Sequence, residues 1–205
     1  MKQRTDEWFA ARLGKVTASR INDVIAKTAK GAYTSARQSY MDELVAERLT
    51  GVVANKFVNA AMQWGTEMEP RAREFYQMKT GLFVEEVGFV PHYSLPHSGA
   101  SPDGYVSDDG LIEIKCLTTP NHLDILVSDA VPEKYFGQIH WQMACTGRLW
   151  TDFVSYDPRL SDDLCMSRIR VSRDEGAIDS ITEEVRKFLG EINERLARIN
   201  ARRTK

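Results

Sequence analysis

The sequence predicts an α/β fold in which a mixed sheet is flanked by helices, and two observations support this prediction. Apolar residues recur at helical spacing in the segments 36–50, 60–79 and 180–199, as they do on one face of an amphipathic helix. Between 82 and 171 the pattern changes to short apolar runs typical of strands, with one helical run among them. Helices followed by neighbouring strands, a helix and more strands are typical of a sheet covered by helices.

The N-terminal third is predicted to be helical. One helix is expected over about 36–50 and a second over about 60–79. Pro70 interrupts the apolar stripe of the second helix, and because proline has no amide hydrogen to donate, we expect a new helix or a kink there. Gly81 is expected to end this helix as its C-cap.

The first strands are predicted directly after these helices. The run 82–90 indicates one strand, and the prolines that follow it end the regular pattern. The runs 104–106 and 111–114 flank a turn at 107–110 that ends in Asp-Gly, a dipeptide that favours tight hairpin turns. We therefore expect a hairpin, and three strands in succession.

The second half adds a helix, two strands and a terminal helix. Helical spacing over 133–146 predicts a helix that Gly147 ends. The segments 150–156 and 165–171 indicate two strands. Ser-Ile-Thr-Glu at 180–183 has the form of a capping box, so we expect the C-terminal helix to begin there.

Size and composition favour a single domain over 1–205, with a helical N-terminal part and a C-terminal helix. No stretch approaches the about 20 apolar residues of a membrane span, so no membrane partner is expected. The polar start of the sequence lacks the apolar core of a signal peptide, and the expected location is the cytoplasm.

Charge, cysteines and histidines limit the function further. The net charge of −2 lacks the basic excess usual in nucleic-acid binders, so any DNA site must be a local feature. The three cysteines lie far apart, which fits neither a disulfide framework nor a zinc site. The four histidines show no metal-binding spacing, so histidine-based metal chemistry is disfavoured.

An acidic motif on the predicted hairpin points to chemistry. Asp103 precedes the first strand, while Glu113 and Lys115 lie on the second strand at i and i+2, where side chains share a face. If the turn closes at 107–110, Asp103 lies opposite Glu113 and Lys115. Two carboxylates and an ammonium would then share one site.

Such a site suits phosphodiester hydrolysis. Magnesium binds hard oxygen ligands, often one or two carboxylates together with a substrate phosphate. A metal held there lowers the pKa of a bound water, and a nearby lysine orients or deprotonates that water. The competing interpretation is structural: Asp103 begins a turn and Glu113 pairs with Lys115 on an exposed strand. The apolar neighbours of Glu113 favour the functional interpretation, because burying charge is costly unless it is paired or bound to metal.

Several further blocks resemble a known family. They occur in the family's order and extend from about residue 7 into the C-terminal helix: Glu7-Trp8, 12–19 (RLGKVTAS), 64–69 (WGTEME), 101–104 (SPDG), 113–116 (EIKC), Gln138 and 156–159 (YDPR). This pattern resembles the lambda-type phage 5′ to 3′ exonucleases, the viral recombination exonucleases of the PD-(D/E)xK nuclease superfamily. The resemblance implies a restriction-endonuclease-like core.

The resemblance also implies a role for each residue of the reaction centre. Asp103, Glu113, the carbonyl of Ile114 and Glu69 would bind Mg²⁺, with two ions expected and Mn²⁺ able to substitute. Lys115 would activate water. In a separate role, Gln138 would position the reacting phosphate or water. Glu69 also has a structural interpretation, as a cap beside Pro70.

Other matching positions would bind DNA. Arg12, Ser19 and Ser101 correspond to residues that hold the 5′ phosphate of the recessed strand, a role that suits a guanidinium and two hydroxyl groups. Met62 corresponds to an apolar wedge that separates the terminal base pair. Met62 has an equally good interpretation as a core residue, and Trp8 and Trp64 are expected to be packing residues.

The functional hypothesis is a Mg²⁺-dependent, processive 5′ to 3′ exonuclease acting on double-stranded DNA ends. It would release mononucleotides and leave 3′ single strands for recombination by strand annealing. The resemblance implies a homotrimeric ring, a single-strand annealing protein as partner, and a phage or prophage origin in a bacterial host. Two alternatives remain: a structure-specific endonuclease of the same superfamily, and a non-catalytic DNA-binding protein with this fold.

Overall fold

The computed structural model describes residues 1–53 and 60–203. Seven α-helices lie in this described part: α1 Asp6–Arg12, α2 Ile21–Ile25, α3 Ser35–Thr50, α4 Ala60–Thr80, α5 Thr119–Ser128, α6 Phe136–Thr146 and α7 Glu175–Asn200. The strands of the same ranges are β1 Val16–Thr17, β2 Val84–Glu85, β3 Val90–Pro91, β4 Ser98–Ala100, β5 Gly104–Val106, β6 Gly110–Cys116, β7 Trp150–Tyr156 and β8 Met166–Ser172. Short 3-10 turns precede α2 and α6.

The main sheet has the order β2-β5-β6-β7-β8 and is mixed. Strands β6 and β7 run parallel, whereas the other neighbours pair antiparallel. The parallel pair is joined through α5 and α6, the crossover that two parallel neighbours require. A smaller, separate sheet has the order β1-β4-β3.

The central strands β6 and β7 are buried on both faces. Leu111 and Phe153 belong to a core that also contains buried residues of α2, α3, α6 and α7. Ile112 and Val154, one residue further along each strand, belong to a second core with α4. This alternation follows from the two-residue period of a strand. The sheet is therefore flanked by helices on both faces, as the sequence predicts.

Most predicted elements are present. The hairpin of β5 and β6 turns at Ser107, which has a positive φ of 51°. Gly81 and Gly147 have left-handed backbones at the ends of α4 and α6, and their amides bond to carbonyls four residues earlier. The helix α4 continues through Pro70, so of the two predicted alternatives a new helix does not begin there, and the kink stays a prediction.

Two other predictions are corrected. The segment 82–90 is not one strand: β2 belongs to the main sheet and β3 to the small sheet. The C-terminal helix begins at Glu175, where the Asp174 carboxylate accepts a bond from the Ala177 amide. Ser180 instead lies inside the helix and donates to the Gly176 carbonyl at 2.9 Å, so a capping-box sequence occurs here within a helix.

Elements that sequence patterns did not predict include α1, β4 and α5. The amphipathic face of α5 is weak, because Leu123 and Val127 are exposed. Strand β4 is only three residues long and contains Gly99, so it has no alternating pattern. No helix within 1–53 and 60–203 is long and apolar enough to cross a membrane.

We expect Phe153→Ala to destabilise the protein by about 3–5 kcal/mol, because this fully buried ring on β7 would leave a cavity between sheet and helices. Phe83→Ala is the matched control. Its ring is 76% exposed, so its effect should stay within about 0.5 kcal/mol. Chemical denaturation measures both free energies of unfolding, and equal losses would contradict the assigned core.

Candidate active site

Strand β6 and helix α6 together fix Glu113. The side chain of Glu113 is 2% exposed and lies 2.6 Å from the Lys115 ammonium, measured from Oε1 to Nζ. Two amides of α6 donate to it: Gln138 to Oε1 and Gln142 to Oε2, each at 2.5 Å. Because Gln138 and Gln142 are four residues apart, they share one face of the helix. Glu113 is therefore held by three donor groups.

Asp103 joins Glu113 through the register of the hairpin. Gly104 pairs with Ile112, which sets Asp103 beside Glu113, and the Ile114 amide donates to Asp103 Oδ2 at 2.6 Å. Asp103 is half-buried and borders the cleft. This burial, and then the negative charges of Glu113 and Glu69, raise the pKa of Asp103 well above its usual value, although Lys115 opposes them.

Lys115 carries the positive charge of this cluster. Burial disfavours its charged form, but the carboxylates of Glu113 and Asp103 outweigh burial and raise the pKa of Lys115. Its Nζ lies 3.5 Å from Gln138 Oε1 and 5.1 Å from the centroid of the Tyr135 ring. The lysine is thus an ammonium whose position is set by an acid, an amide and an aromatic face.

Glu69 reaches the same cleft from α4, in a different electrostatic setting. Arg4 binds its Oε2 at 2.5 Å, and Arg73 binds its Oε1 at 2.9 Å. Within the described ranges, no cluster of three or more His, Cys, Asp and Glu residues is arranged to hold a metal. A metal here would therefore rely on Asp103 and Glu113, with further oxygen donors from a backbone carbonyl, solvent or Glu69 after Arg4 moves.

The donor set nevertheless fits a hard divalent cation. Carboxylate and carbonyl oxygens are the ligands that Mg²⁺ prefers, and one or two carboxylates suffice when a substrate phosphate completes the shell. Asp103 lies beside Glu113, and repulsion from the negative charge of Glu113 adds to the effect of burial in raising the pKa of Asp103. A cation between them would relieve that repulsion.

A second group of donors lies near the acids. The hydroxyl of Ser101 accepts hydrogen bonds from the Arg12 guanidinium and from the Trp8 indole, each at 3.0 Å. The Arg12 guanidinium also lies 4.1 Å from the centroid of the Trp8 ring. No carboxylate forms an ion pair with Arg12 among the described residues. Burial lowers the pKa of Arg12, and the nearby Glu47 offsets this only in part, so a bound anion would stabilise its charge.

The remaining predicted residues are more exposed. Ser19 lies in the 3-10 turn before α2, with its hydroxyl 3.5 Å from that of Thr17. Met62 lies in the first turn of α4 and is 50% exposed, which contradicts its interpretation as a core residue. Both side chains border the cleft.

One cleft of about 850 Å³ contains every predicted site residue. These are Arg12, Ser19, Met62, Glu69, Ser101, Asp103, Glu113, Ile114, Lys115 and Gln138. The sequence did not reveal the parts played by Gln142, Tyr135 and Arg4. The i, i+4 spacing of two glutamines on a predicted helix could have identified Gln142, whereas Arg4 and Tyr135 have no sequence signal. Trp8, expected to be a packing residue, donates to Ser101 as well.

Comparison with known proteins gives a family and several similar solved structures. Residues 7–149 match the family model of the YqaJ-like viral recombinase domain. The chain is 48% identical to an alkaline exonuclease, LHK-Exo from Laribacter hongkongensis, with a TM-score of 0.90 and 98% of each chain covered. The structure of LHK-Exo in complex with dAMP matches equally well. No functionally curated protein matched the sequence.

A more distant structure shares the fold alone. The phage-related exonuclease from Haemophilus somnus 129PT is 20% identical, with a TM-score of 0.65 over 90% of this chain and 96% of that one. The fold and the acid-x-lysine strand are those of a nuclease of the PD-(D/E)xK type. More specifically, the chain belongs to the YqaJ-like viral recombinase family.

The charge cluster predicts a pH-dependent effect of Asp103→Asn in the presence of a chelator. A carboxyl whose pKa is raised on folding destabilises the folded protein above its unfolded pKa, and this destabilisation vanishes below it. The variant should therefore unfold at a higher temperature than the wild type at pH 8, and the difference should shrink toward about pH 4. Thermal unfolding followed by circular dichroism measures the unfolding temperatures of the variant and the wild type at each pH.

Asp108→Asn is the control for this experiment, because Asp108 lies exposed in the turn of the same hairpin. Its unfolding temperature should follow that of the wild type across the pH range. If Asp103→Asn lowered the unfolding temperature at pH 8, the assigned carboxylate repulsion would be refuted.

Proposed function

We propose that the chain is a metal-dependent exonuclease that degrades one strand of double-stranded DNA from its 5′ end. The observation that carries this proposal is the position of two groups in one cleft: the acids and lysine of the hairpin, and the Arg12–Ser101 pair. The first group suits phosphodiester hydrolysis. The second suits a terminal phosphate, because a guanidinium and a hydroxyl donate to phosphate oxygens.

The proposed cofactor is a pair of Mg²⁺ ions, for which Mn²⁺ substitutes. Asp103, Glu113 and the carbonyl of Ile114 would hold them, and Glu69 would join after exchanging its bond to Arg4. Bound Mg²⁺ supplies a water of lowered pKa and neutralises phosphate charge. The hard oxygen donors and the repulsion at Asp103 support this choice.

The protein's own groups would orient the reaction. The Lys115 ammonium would donate to the attacking water or to a phosphate oxygen, and its short bond to Glu113 fixes its position. Gln138 would position the attacking water and the phosphate oxygen, because its side-chain amide already bonds to both Glu113 and Lys115. Such supporting hydrogen bonds commonly change metal affinity or activity by about 10–100-fold.

Arg12, Ser101 and Ser19 would bind the 5′ phosphate of the DNA end. Trp8 would keep the Arg12 guanidinium in place through its ring and would orient the Ser101 hydroxyl. Because this group lies in the same cleft as the acids, a strand held by its terminal phosphate would present an internal linkage to them. Met62, exposed on the first turn of α4, would part the terminal base pair.

The finer features of the proposal rest on the family resemblance. We infer processive action, release of mononucleotides, 3′ single-stranded products, a homotrimeric ring and a single-strand annealing protein as partner. A ring that encloses duplex DNA explains processivity. Light scattering of the purified protein measures the mass, and a monomeric mass would exclude the ring.

Asp103→Ala should abolish Mg²⁺-dependent cleavage of a linear duplex, and Lys115→Met should lower the turnover number by about 10²–10⁴-fold. Release of labelled nucleotide from a 5′-phosphorylated duplex, with and without chelator, measures both. Asp108→Asn controls for loss of one acid from the same hairpin and should retain wild-type turnover. Unchanged turnover in Asp103→Ala would exclude this reaction centre.

The substrate end provides a separate test. The wild type should degrade 5′-phosphorylated duplexes faster than 5′-hydroxyl duplexes, and Arg12→Gln should bring the ratio of the two rates toward one, because the phosphate loses its guanidinium partner. Arg186→Gln, an exposed arginine on α7 away from the cleft, should keep the wild-type ratio. Equal rates in the wild type would count against the phosphate role of Arg12.

The same assays separate the alternatives. A structure-specific endonuclease would cut closed circular DNA, whereas an exonuclease leaves it intact. A non-catalytic DNA-binding protein would bind duplex ends but cleave none of them with Mg²⁺ or Mn²⁺.

A further inference from the structure

We propose that Arg159 binds a backbone phosphate of the degraded strand on the 3′ side of the scissile linkage. It would be a second anchor for the strand, on the opposite flank of β6 from Arg12. This inference rests on the proposed function, and it concerns a residue to which neither the sequence motifs nor the candidate active site gave a role.

The sheet order places the two arginines on either side of the acids. Strand β6 lies between β5 and β7. On the β5 side, Ser101 precedes Asp103 and binds Arg12. On the β7 side, Arg159 follows the end of β7 and donates to the Leu117 carbonyl, two residues beyond Lys115, at 3.0 Å. A strand whose 5′ phosphate lies at Arg12 and whose scissile linkage lies at β6 therefore continues toward Arg159.

The guanidinium of Arg159 is fixed before any ligand arrives. Its Nε donates to Asp157 Oδ1 at 2.6 Å, and its Nη2 donates to Asp157 Oδ2 at 3.0 Å. Asp157 is fully buried and also accepts a bond from the Thr119 hydroxyl at 2.6 Å. A paired and braced guanidinium loses little conformational entropy on binding, which favours phosphate recognition.

One edge of this guanidinium remains available. Nε and Nη2 are engaged by Asp157 and Leu117, whereas no acceptor within 1–53 and 60–203 takes the hydrogens of Nη1. The side chain is 48% exposed and borders the cleft, 5.0 Å from the centroid of the Trp64 ring. Nη1 thus keeps two N–H groups without an acceptor in the described chain, on a side chain that borders the cleft.

A purely structural role for Arg159 predicts a different outcome. If the guanidinium served only to close the turn after β7, its loss would weaken every DNA complex alike. A phosphate contact instead makes binding depend on the charge of one particular linkage. Replacing single phosphates by neutral methylphosphonates separates the two roles, since it removes the charge of one linkage at a time.

The test measures binding of 5′-phosphorylated duplexes by fluorescence anisotropy in chelator, so that no cleavage occurs. Each duplex carries one methylphosphonate at one of the first linkages on the 3′ side of the scissile position. The wild type should lose about tenfold in affinity at one linkage, equivalent to about 1.4 kcal/mol. Arg159→Gln should bind unmodified DNA about tenfold more weakly and lose nothing further at that linkage.

Two more measurements complete the design. The slope of log affinity against log salt should decrease in magnitude by about one in Arg159→Gln, as expected for one lost phosphate contact. Arg186→Gln removes an exposed arginine outside the cleft and should keep the wild-type linkage profile. The unpaired Asp157 could unfold the single variant. Asp157→Asn combined with Arg159→Gln removes both charges of the pair, and this double variant should likewise lose no further affinity when that linkage is neutralised.

Outcomes for the two proposals are distinguishable. In one outcome the wild type cleaves linear duplex while Arg159→Gln loses as much affinity as the wild type at every methylphosphonate linkage. That result would overturn the Arg159 contact and leave the exonuclease proposal intact. Loss of sensitivity at one linkage only, with the other linkages unchanged, supports it. A wild-type protein that neither binds nor cleaves duplex ends would overturn both.

Discussion

The structure depends on one electrostatic constraint. The carboxylates of Asp103 and Glu113 and the ammonium of Lys115 lie side by side at the end of β6, a strand that is otherwise apolar. Glu113 is buried between Leu111 and Lys115 on one face of β6, and charge in such a place must be compensated. Lys115 and two glutamines of α6 compensate Glu113. Burial and the charges of Glu113 and Glu69 raise the pKa of Asp103, and the Lys115 charge and the Ile114 amide offset this only in part. The fold thus retains an unfavourable interaction between Asp103 and Glu113.

The surrounding elements hold this cluster in place. The parallel pair β6 and β7 ends at the cleft, while α6 crosses the same face with its amides directed at Glu113. Hydrophobic cores on both faces of the sheet make these strands difficult to shift, because close-packed interiors resist displacement. The reacting groups are therefore carried by rigid elements, which suits chemistry that requires accurate positioning. Trp8 and Arg12, which bond to Ser101, come from the short helix α1.

Much of this arrangement is encoded in local sequence, and the rest is not. The hairpin could be predicted because its turn, its period and the position of Asp103 are short-range features. The long helices could be predicted for the same reason. By contrast, the division of 82–90 between two sheets depends on partners distant in sequence, Val106 for β2 and Ala100 for β3. Likewise, the Arg4 contact with Glu69 joins residues 65 positions apart, and no periodicity reveals it.

The charge of the whole chain is a poor guide to its ligand, and the distribution of ion pairs explains why. Several arginines outside the cleft are paired with carboxylates, such as Arg37 with Glu191 and Arg20 with Glu43, so they add little to the external field. Within the cleft, Arg12 has no such partner in the described chain, and Arg159 keeps Nη1 available despite its bond to Asp157. A polyanion is bound by accessible donors at suitable positions, and salt screens distant charges within about 10 Å at 0.1 M ionic strength. A net charge of −2 is therefore compatible with a cleft that binds DNA.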